Sequence, residues 1–574
     1  MTDTATAASG KGTRAAGAWA AVVLYVLVPA VIAALMLYYL LMCRRAAGEF
    51  GFPLDDSWIH MRFAQNLAAG HGFSFNPGEP TSTTTSPLWT LLFGLAYRVT
   101  REYVLTAAAL NWLICVLTAL TASALATTLV PRREFGAAVA LVVAATIPLP
   151  WLALSGMEPP LFMWLSVLGI LLHVRLRKTR GLRALSPTVV FGLAAVARPE
   201  GLLLFPLAML DRLLVARCGG WGKPAAVTWL KQVATHTPVF LAMLVPVVAY
   251  NYSVIGRPLP SSYYIKAMNY GVVWALVMDN ERLLLRSLLV APVKELGSLL
   301  LLWAGNNAVL IIPFLLGSFV LLRQAGAPAR AQHRSFLILL VLIVQPVAWA
   351  ISTNFHRAPA FQGQRYVANL GPLYLVLGMA GGWWILQLVT RPGLRRVASL
   401  AGLCLVLIAS AARQPACARL YAHNVKNITE MQVTTARWIR DNLPKESLLC
   451  ANDVGAIGAI TECRVLDTQG LVSPEILACL TIDRARSGAW RECWRQVIVR
   501  EEPDYVVAVT RPERYQDAIR GFDFLKPKLI YREEIDDNIT CGGPLIVVLQ
   551  TALCKHPPKT PLSASAPVGG SSAE

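Results

Sequence analysis

The sequence predicts a polytopic α-helical membrane protein with a C-terminal extracytoplasmic α/β domain. Three observations lead there. The 574-residue chain is 55% hydrophobic and only 15% charged, where soluble proteins carry about 25% charged residues, and its mean hydropathy is +0.51. Eleven apolar segments approach the roughly 20 residues that cross a bilayer core. The first runs from about Trp19 to Met42, and the others centre near residues 115, 142, 167, 192, 207, 243, 308, 343, 378 and 404. After about residue 413 charge rises and alternating strand-like runs replace the apolar segments. Such a composition excludes disorder, which needs low hydrophobicity. It also argues against nucleic-acid binding, which needs basic residues on one accessible face.

Residues 1–17 read as a cytoplasmic tail and 18–412 as the transmembrane domain. The first apolar segment is long, and no small-residue cleavage site precedes Arg44 and Arg45, so it reads as a signal anchor. The formal net charge of +19 then finds its place. With Lys11 and Arg14 cytoplasmic, alternate loops carry Arg132 and Arg133; Arg175, Arg177, Lys178, Arg180 and Arg183; Arg212, Arg217, Lys223 and Lys231; Arg323, Arg330 and Arg334; and Arg391, Arg395 and Arg396. The loops between are poorer in basic residues, as the positive-inside rule requires. Basic residues flank Pro187 to Val215 on both sides, so an even number of crossings lies between, with the break at Arg198-Pro199-Glu200. Eleven crossings put the C-terminal domain outside the cytoplasm.

The loop from 44 to 102 is the most unusual stretch. Asp55 and Asp56 lie just beyond the first helix end. Ser57 to Ala69 forms an amphipathic helix, with Trp58, Met61, Ala64, Gln65 and Ala68 along one side, expected to lie on the membrane surface. Gly70-His71-Gly72 and Asn76-Pro77-Gly78-Glu79 are turns. Thr81 to Ser86 is a hydroxyl-rich loop, and Pro87 opens another helix. The structural alternative for the acids is a solvated pair at a helix start. In the company of a histidine and two surface helices, a carboxylate at the bilayer interface serves as a general base on a hydroxyl group.

Other polar residues interrupt the apolar runs. Glu158 sits in an external turn, Gly156 to Pro160. Arg198 and Glu200 stand between apolar runs, where a charge costs about 2.5–3.5 kcal/mol and is paired or functional; the alternative is a hairpin at the water interface. Tyr250 to Tyr270 is external and contains Arg257, Tyr264 and Lys266. His356, Arg357, Gln362, Gln364, Arg365 and Tyr366 form another external cluster. Singly, such cations snorkel; three converging on one loop make a phosphate site.

Residues 413–556 read as the α/β domain, and 557–574 as a disordered tail. A helix over Ala422 to Asn442 precedes strands at Ser447–Ala451, Arg464–Asp467, Asp504–Val509, Lys528–Tyr531 and Leu545–Leu549, with helical or turn-like linkers. Gly455 to Gly458 is too short for a nucleotide fingerprint. Seven of the eleven cysteines fall in this part, which suits an oxidising compartment and some disulfides. Seven is odd, and the pairing is not readable from spacing.

The stretch DDSWIHMRFAQNLAAGHGFSFNPGEPTSTTTSPLW resembles the first external loop of the GT-C glycosyltransferases, in particular the branch of bacterial cell-wall arabinofuranosyltransferases. Ser155 to Glu158, Arg198 to Gly201, Gly256 to Lys266, Gln364 to Tyr366, Asp453 to Gly458, Leu466-Asp467 and Gly470 to Val472 follow in the family's order, so the resemblance covers about residues 18 to 475. At Thr81 to Ser86 the chain departs from the family's usual stretch, which leaves the sugar open. The resemblance implies inverting transfer of a sugar from a polyprenyl-phosphate donor to a hydroxyl acceptor outside the cytoplasm, on an envelope glycan, lipid or protein. Carried over by position, Asp55 is the base and Asp56 assists. Lys266 and Arg365, with Arg198, hold the donor phosphate, and His71, Glu158, Glu200, Tyr264 and Tyr366 complete the substrate site. A divalent metal ion shared by Asp55, Asp56 and Glu158 is left open; no other cofactor is implied. The partners expected are donor, acceptor and membrane lipids, not nucleic acid. A transporter or flippase for a lipid-linked precursor is the competing class. It would place ionisable residues mid-membrane and show repeated halves, and no repeat is found. An assembly protein whose C-terminal domain binds glycan is a third.

Overall fold

The computed structural model describes residues 17–559 except 85, 219–221, 268–270, 327–334 and 354–358. Lys11, Arg14, Thr85, Arg330, Arg334, His356, Arg357 and the tail beyond 559 lie outside the described residues.

Each apolar segment lies on a helix. Among the described residues, five helices are long and apolar enough to cross a membrane: Gly17–Ala47, Val104–Leu129, Lys223–Ile255, Glu281–Arg323 and Pro392–Asn442. A sixth is gained if Arg133–Ala144 and Pro148–Leu154, bent by 62°, form one span, and four further apolar helices are shorter. Hydropathy alone makes the segment a helix, because a lipid-exposed backbone must satisfy its own hydrogen bonds. The break read at Arg198 is real. Ser186–Ala197 ends there, Arg198 is extended (φ −155°, ψ 144°), and Pro199–Leu203 restarts as a 3-10 turn. A residue before proline avoids the helical region, so the dipeptide turns the chain and leaves the arginine at the break.

The C-terminal unit holds a five-stranded sheet in the order β2-β1-β3-β5-β4, with β1 Leu448–Ala451, β2 Arg464–Asp467, β3 Tyr505–Thr510, β4 Lys528–Glu534 and β5 Leu545–Gln550. β1 pairs parallel with β2 and β3, while β5 is antiparallel to β3 and β4. The central strands are apolar and buried on both faces, as strands covered on both sides require. Pro392–Ile428 runs unbroken across the expected boundary at 413 and continues through a π-turn into Thr434–Asn442. Of the seven cysteines, Cys479 and Cys493 form a disulfide; Cys417, Cys450, Cys463, Cys541 and Cys554 are free.

The first-loop helix corrects one expectation. Asp55–Ala69 does not lie on the membrane surface with a wet face; it is buried on nearly every side. Trp58, Met61 and Ala64 join the core of the helical domain. Ile59 and Phe63, with Phe75 further on, join the core beneath the sheet with Leu449, Val454 and Ile457. Amphipathicity reports two unlike neighbours here, not lipid and water. Polar contacts fasten the same loop to the sheet. The Asn76 side chain accepts from Val465 N–H (2.9 Å) and donates to Val465 C=O (3.0 Å), as a neighbouring strand would. Glu79 pairs with Arg464 at 2.6 Å.

Candidate active site

Leu54 ends its extended segment as the N-cap of the Asp55–Ala69 helix without a side-chain cap, so neither acid caps its own helix. They point to different places. Asp55 turns to the C-terminal unit, where Oδ2 accepts the N–H of Gly455 (2.6 Å) and Oδ1 that of Ala456 (2.8 Å). Burial, and the neighbouring Asp453 carboxyl, push the Asp55 carboxyl well above the ordinary carboxylate range, although the two N–H groups pull it down. Asp55, expected to act as the base, is held by these bonds against the C-terminal unit.

Asp56 faces a cavity of about 310 Å³ lined also by His60, Thr83, Thr84, Lys266, Arg365 and Tyr366, and by Gln469 and Leu471 from the C-terminal unit. Its side chain is 49% exposed, while its partner Arg365, whose Nη2 donates to Oδ2 at 2.8 Å, is 5% exposed. Arg365 also donates to the Tyr366 hydroxyl (2.9 Å). The Tyr366 ring stacks on Trp349 (4.6 Å) and lies near three cations: Arg365 at 4.9 Å, Arg198 at 5.6 Å and Lys266 at 6.0 Å. Their distribution of partners differs. Arg198 is paired with Glu158 and Glu200 and Arg365 with Asp56. Lys266 has no carboxylate at ion-pair distance among the described residues, so it brings an unneutralised positive charge to the cavity.

Glu158 stands behind the cavity wall. It is buried between Arg198 Nη1 and His60 Nε2, the latter 3.2 Å away. Burial alone would raise its carboxyl, but Arg198 and His60 outweigh burial and bring it to about 2. The sign of the pH dependence follows. A carboxyl depressed from 4.5 to about 2 contributes stability that is present above pH 4.5 and is lost as pH falls toward 2. We expect wild-type protein to lose about 3 kcal/mol more over that window than Glu158→Gln. Unfolding midpoints measured in detergent from pH 5 to 2 check this; parallel curves would refute it.

A second cavity, about 550 Å³, opens on the other side of Asp56. Asp55, Gln432, Asn452, Asp453 and Thr540 are among its lining. Asp56, Gln362 and Gln469 line both cavities. Gln469 is held by its amide donating to Asn452 C=O (2.9 Å) and its N–H donating to Asp467 (2.8 Å). Asp467 also accepts the N–H groups of Leu471 and Val472. Burial pushes the Asp467 carboxyl up to about 6 against these bonds.

Of the expected site residues, Asp56, Lys266, Arg365 and Tyr366 converge on the first cavity, with Glu158, Arg198 and Glu200 as a buried ion-pair chain behind it. Two do not join it. His71 is exposed at the far end of its helix, its N–H donating to Asn66 C=O. Tyr264 lies under Arg257 at 4.9 Å, and its hydroxyl accepts the Leu259 N–H. His60 was missed, although it stands one helical turn after Asp56 and so on its face. Asp55, Asp56 and Glu158 do not fit a shared metal ion. Asp55 binds backbone N–H groups, Glu158 an arginine and a histidine, and among the described residues no group of three or more His, Cys, Asp or Glu forms a metal site.

Residues 424–541 match a family model described as a domain of unknown function (DUF8728). A stretch of 195 residues is 34% identical to the terminal beta-(1->2)-arabinofuranosyltransferase of Mycobacterium tuberculosis, covering 31% of this chain and 29% of that protein. The chain thus spans less than a third of the length of the curated relative it matches. Among solved structures it is similar to ArnT from Cupriavidus metallidurans bound to undecaprenyl phosphate, with a TM-score of 0.54 at 12% identity, over 91% of this chain and 98% of that chain. Apo ArnT gives 0.53 at 13% identity over the same shares. The shared fold spans nearly the whole of both chains, and it is the multi-pass helical membrane fold with a small C-terminal sheet domain.

Proposed function

We propose that the protein is an inverting GT-C glycosyltransferase, moving a sugar from a polyprenyl-phosphate donor to a hydroxyl acceptor on the extracytoplasmic side of the bacterial inner membrane. One observation carries the reading: Asp56 stands between a cavity rimmed by cations and a second one lined by amides, hydroxyls and carboxyls. The first suits the donor phosphate and the second a glycan hydroxyl. The acceptor oxygen attacks the anomeric carbon as Asp56 takes its proton. The bond from that carbon to the phosphate oxygen breaks, and the lipid phosphate leaves with the electron pair. Lys266 and Arg365 lie where the developing charge appears, and Arg198, neutralised by two carboxylates, orients Tyr366 rather than binding phosphate directly. A solved relative of the same fold holds undecaprenyl phosphate, and the curated relative is named as an arabinofuranosyltransferase; both support the donor class and the reaction. The basic loops and the Cys479–Cys493 disulfide support an extracytoplasmic C-terminal domain.

The test is a panel of polyprenyl-phosphate sugars and hydroxyl acceptors offered to the protein in proteoliposomes. A matching pair is expected to release polyprenyl phosphate with sugar on the acceptor. Donor lipid crossing the bilayer without transfer would replace this reading with a flippase. Lys266→Met removes the unneutralised cation. A charge-assisted bond to phosphate is worth about 1.5–3 kcal/mol, so kcat/KM for the donor should fall roughly 10- to 100-fold; an unchanged value would remove Lys266 from the phosphate site.

A further inference from the structure

The helix Leu204–Cys218 begins just beyond Arg198, and its far half carries a second polar cluster. Asp211 is fully buried. Its Oδ2 meets His173 Nε2 at 2.7 Å and accepts from Arg177 Nη2, and its Oδ1 accepts the Phe336 N–H at 2.6 Å. Both oxygens are therefore engaged. Arg212, the next residue, is 7% exposed; among the described residues its Nε has no hydrogen-bond partner and it makes no ion pair. It lines a cavity of about 370 Å³ together with Arg177, Thr228, Trp229 and Gln232. Two guanidiniums thus face one space, and Asp211, the carboxylate beside them among the described residues, is already engaged at both oxygens.

A buried guanidinium without an anion is electrostatically costly, and such groups in membrane proteins are paired or mark a ligand. The wall opposite is the first turn of Lys223–Ile255, with Pro224 and Ala225 at the cavity. Its N-cap Gly222 offers no side chain; the Gly222 C=O accepts the Ala225 and Ala226 N–H groups, and the positive end of a 33-residue helix's dipole favours negative charge. The guanidinium fork matches phosphate oxygens two at a time. The Trp229 indole donates to Met209 C=O at 3.0 Å, which fixes an aromatic wall of the kind found at headgroup level. Basic pockets between helices on the cytoplasmic side are where phospholipid headgroups bind.

We propose that this cavity binds a phosphate group through Arg212 and Arg177, either in the headgroup of an anionic phospholipid or as free phosphate. The site is separate from the Asp56 cavity and stands whether or not the transfer reaction does.

The experiment uses the delipidated full chain in detergent, with phosphatidylglycerol, phosphatidylcholine or inorganic phosphate added at constant ionic strength. At roughly 100-fold excess over the dissociation constant, the unfolding midpoint of the wild type should rise by about 2 °C. Phosphatidylglycerol acting alone identifies the lipid headgroup; inorganic phosphate acting as well identifies the phosphate itself. Arg212→Met should lose the shift and, without added anion, unfold no earlier than wild type, because an apolar residue replaces an unpaired charge. Arg183→Gln, on the exposed loop, should keep the shift. Equal stabilisation by phosphatidylglycerol and phosphatidylcholine with none from phosphate would overturn the proposal, as would an Arg212→Met variant that retains the full response. Should that variant fail to fold, native mass spectrometry of the wild type decides. One phosphatidylglycerol retained at energies that strip phosphatidylcholine supports the site, and equal stripping overturns it.

Discussion

Asp56→Asn should lower turnover by about 10²- to 10⁴-fold, the range for loss of a general base, while the protein stays folded. The amide keeps an oxygen for Arg365 Nη2, now 2.8 Å from Oδ2, so the arginine stays in place and only proton acceptance is lost. The side chain is half exposed and packs in no core, so the unfolding midpoint should hardly move. Asp56→Glu keeps a carboxylate but carries it one methylene further into the space between the two cavities, and should recover part of the rate. Initial rates in proteoliposomes at saturating donor and acceptor decide. Near-normal turnover in Asp56→Asn would remove it from the chemistry and move attention to His60, which lines the same cavity as Lys266, or to Asp453 in the second cavity.

What the sequence made legible follows from the range of the interactions involved. Hydropathy and proline act locally, so the apolar helices and the break at Arg198 could be read directly. The five strands were equally readable, since β1, β3 and β5 are short apolar runs bounded by turns. The roles of the two acids were not. Asp55 and Gly455 are 400 positions apart, and no spacing rule reports that the chain returns there. The Gly-His-Gly turn lies away from the cavity for a physical reason. Gly70 has φ +87° and ends the Asp55–Ala69 helix, with Gly72 also left-handed at +72°. Those glycines are there to end a helix, and the histidine between them is carried into water. His60, inside the helix and without conspicuous neighbours, is the one that reaches the cavity. Cation convergence was anticipated as a condition but not as a fact, because Lys266, Arg198 and Arg365 meet only around Tyr366.

The same pairing of Asp55 with Gly455 makes the second large prediction, one about assembly rather than chemistry. A Cβ at Gly455 would lie 2.0 Å from the Asp55 carbonyl oxygen and 2.6 Å from its Oδ2. The first of these is backbone, so no rotamer relieves the clash. Gly455→Ala must push the sheet domain off the first loop, and overpacking of this kind costs about 1–3 kcal/mol or more. Asp55→Asn acts on the other side of the contact. An amide has one oxygen where the carboxylate has two, so one of the Gly455 and Ala456 N–H groups faces an NH₂ and is left unpaired at a cost of about 1–3 kcal/mol. Because Gln469 and Leu471 enter the Asp56 cavity from the displaced domain, both variants should lose activity in step with docking. Hydrogen exchange across 455–461 and the unfolding midpoint measure docking; rates on the same samples measure activity. The two should fall together, with turnover per docked molecule close to wild type in Asp55→Asn. If Asp55→Asn stays docked and is inactive while Asp56→Asn turns over, the two acids exchange roles: the buried carboxylate is then the base and the exposed one only positions Arg365.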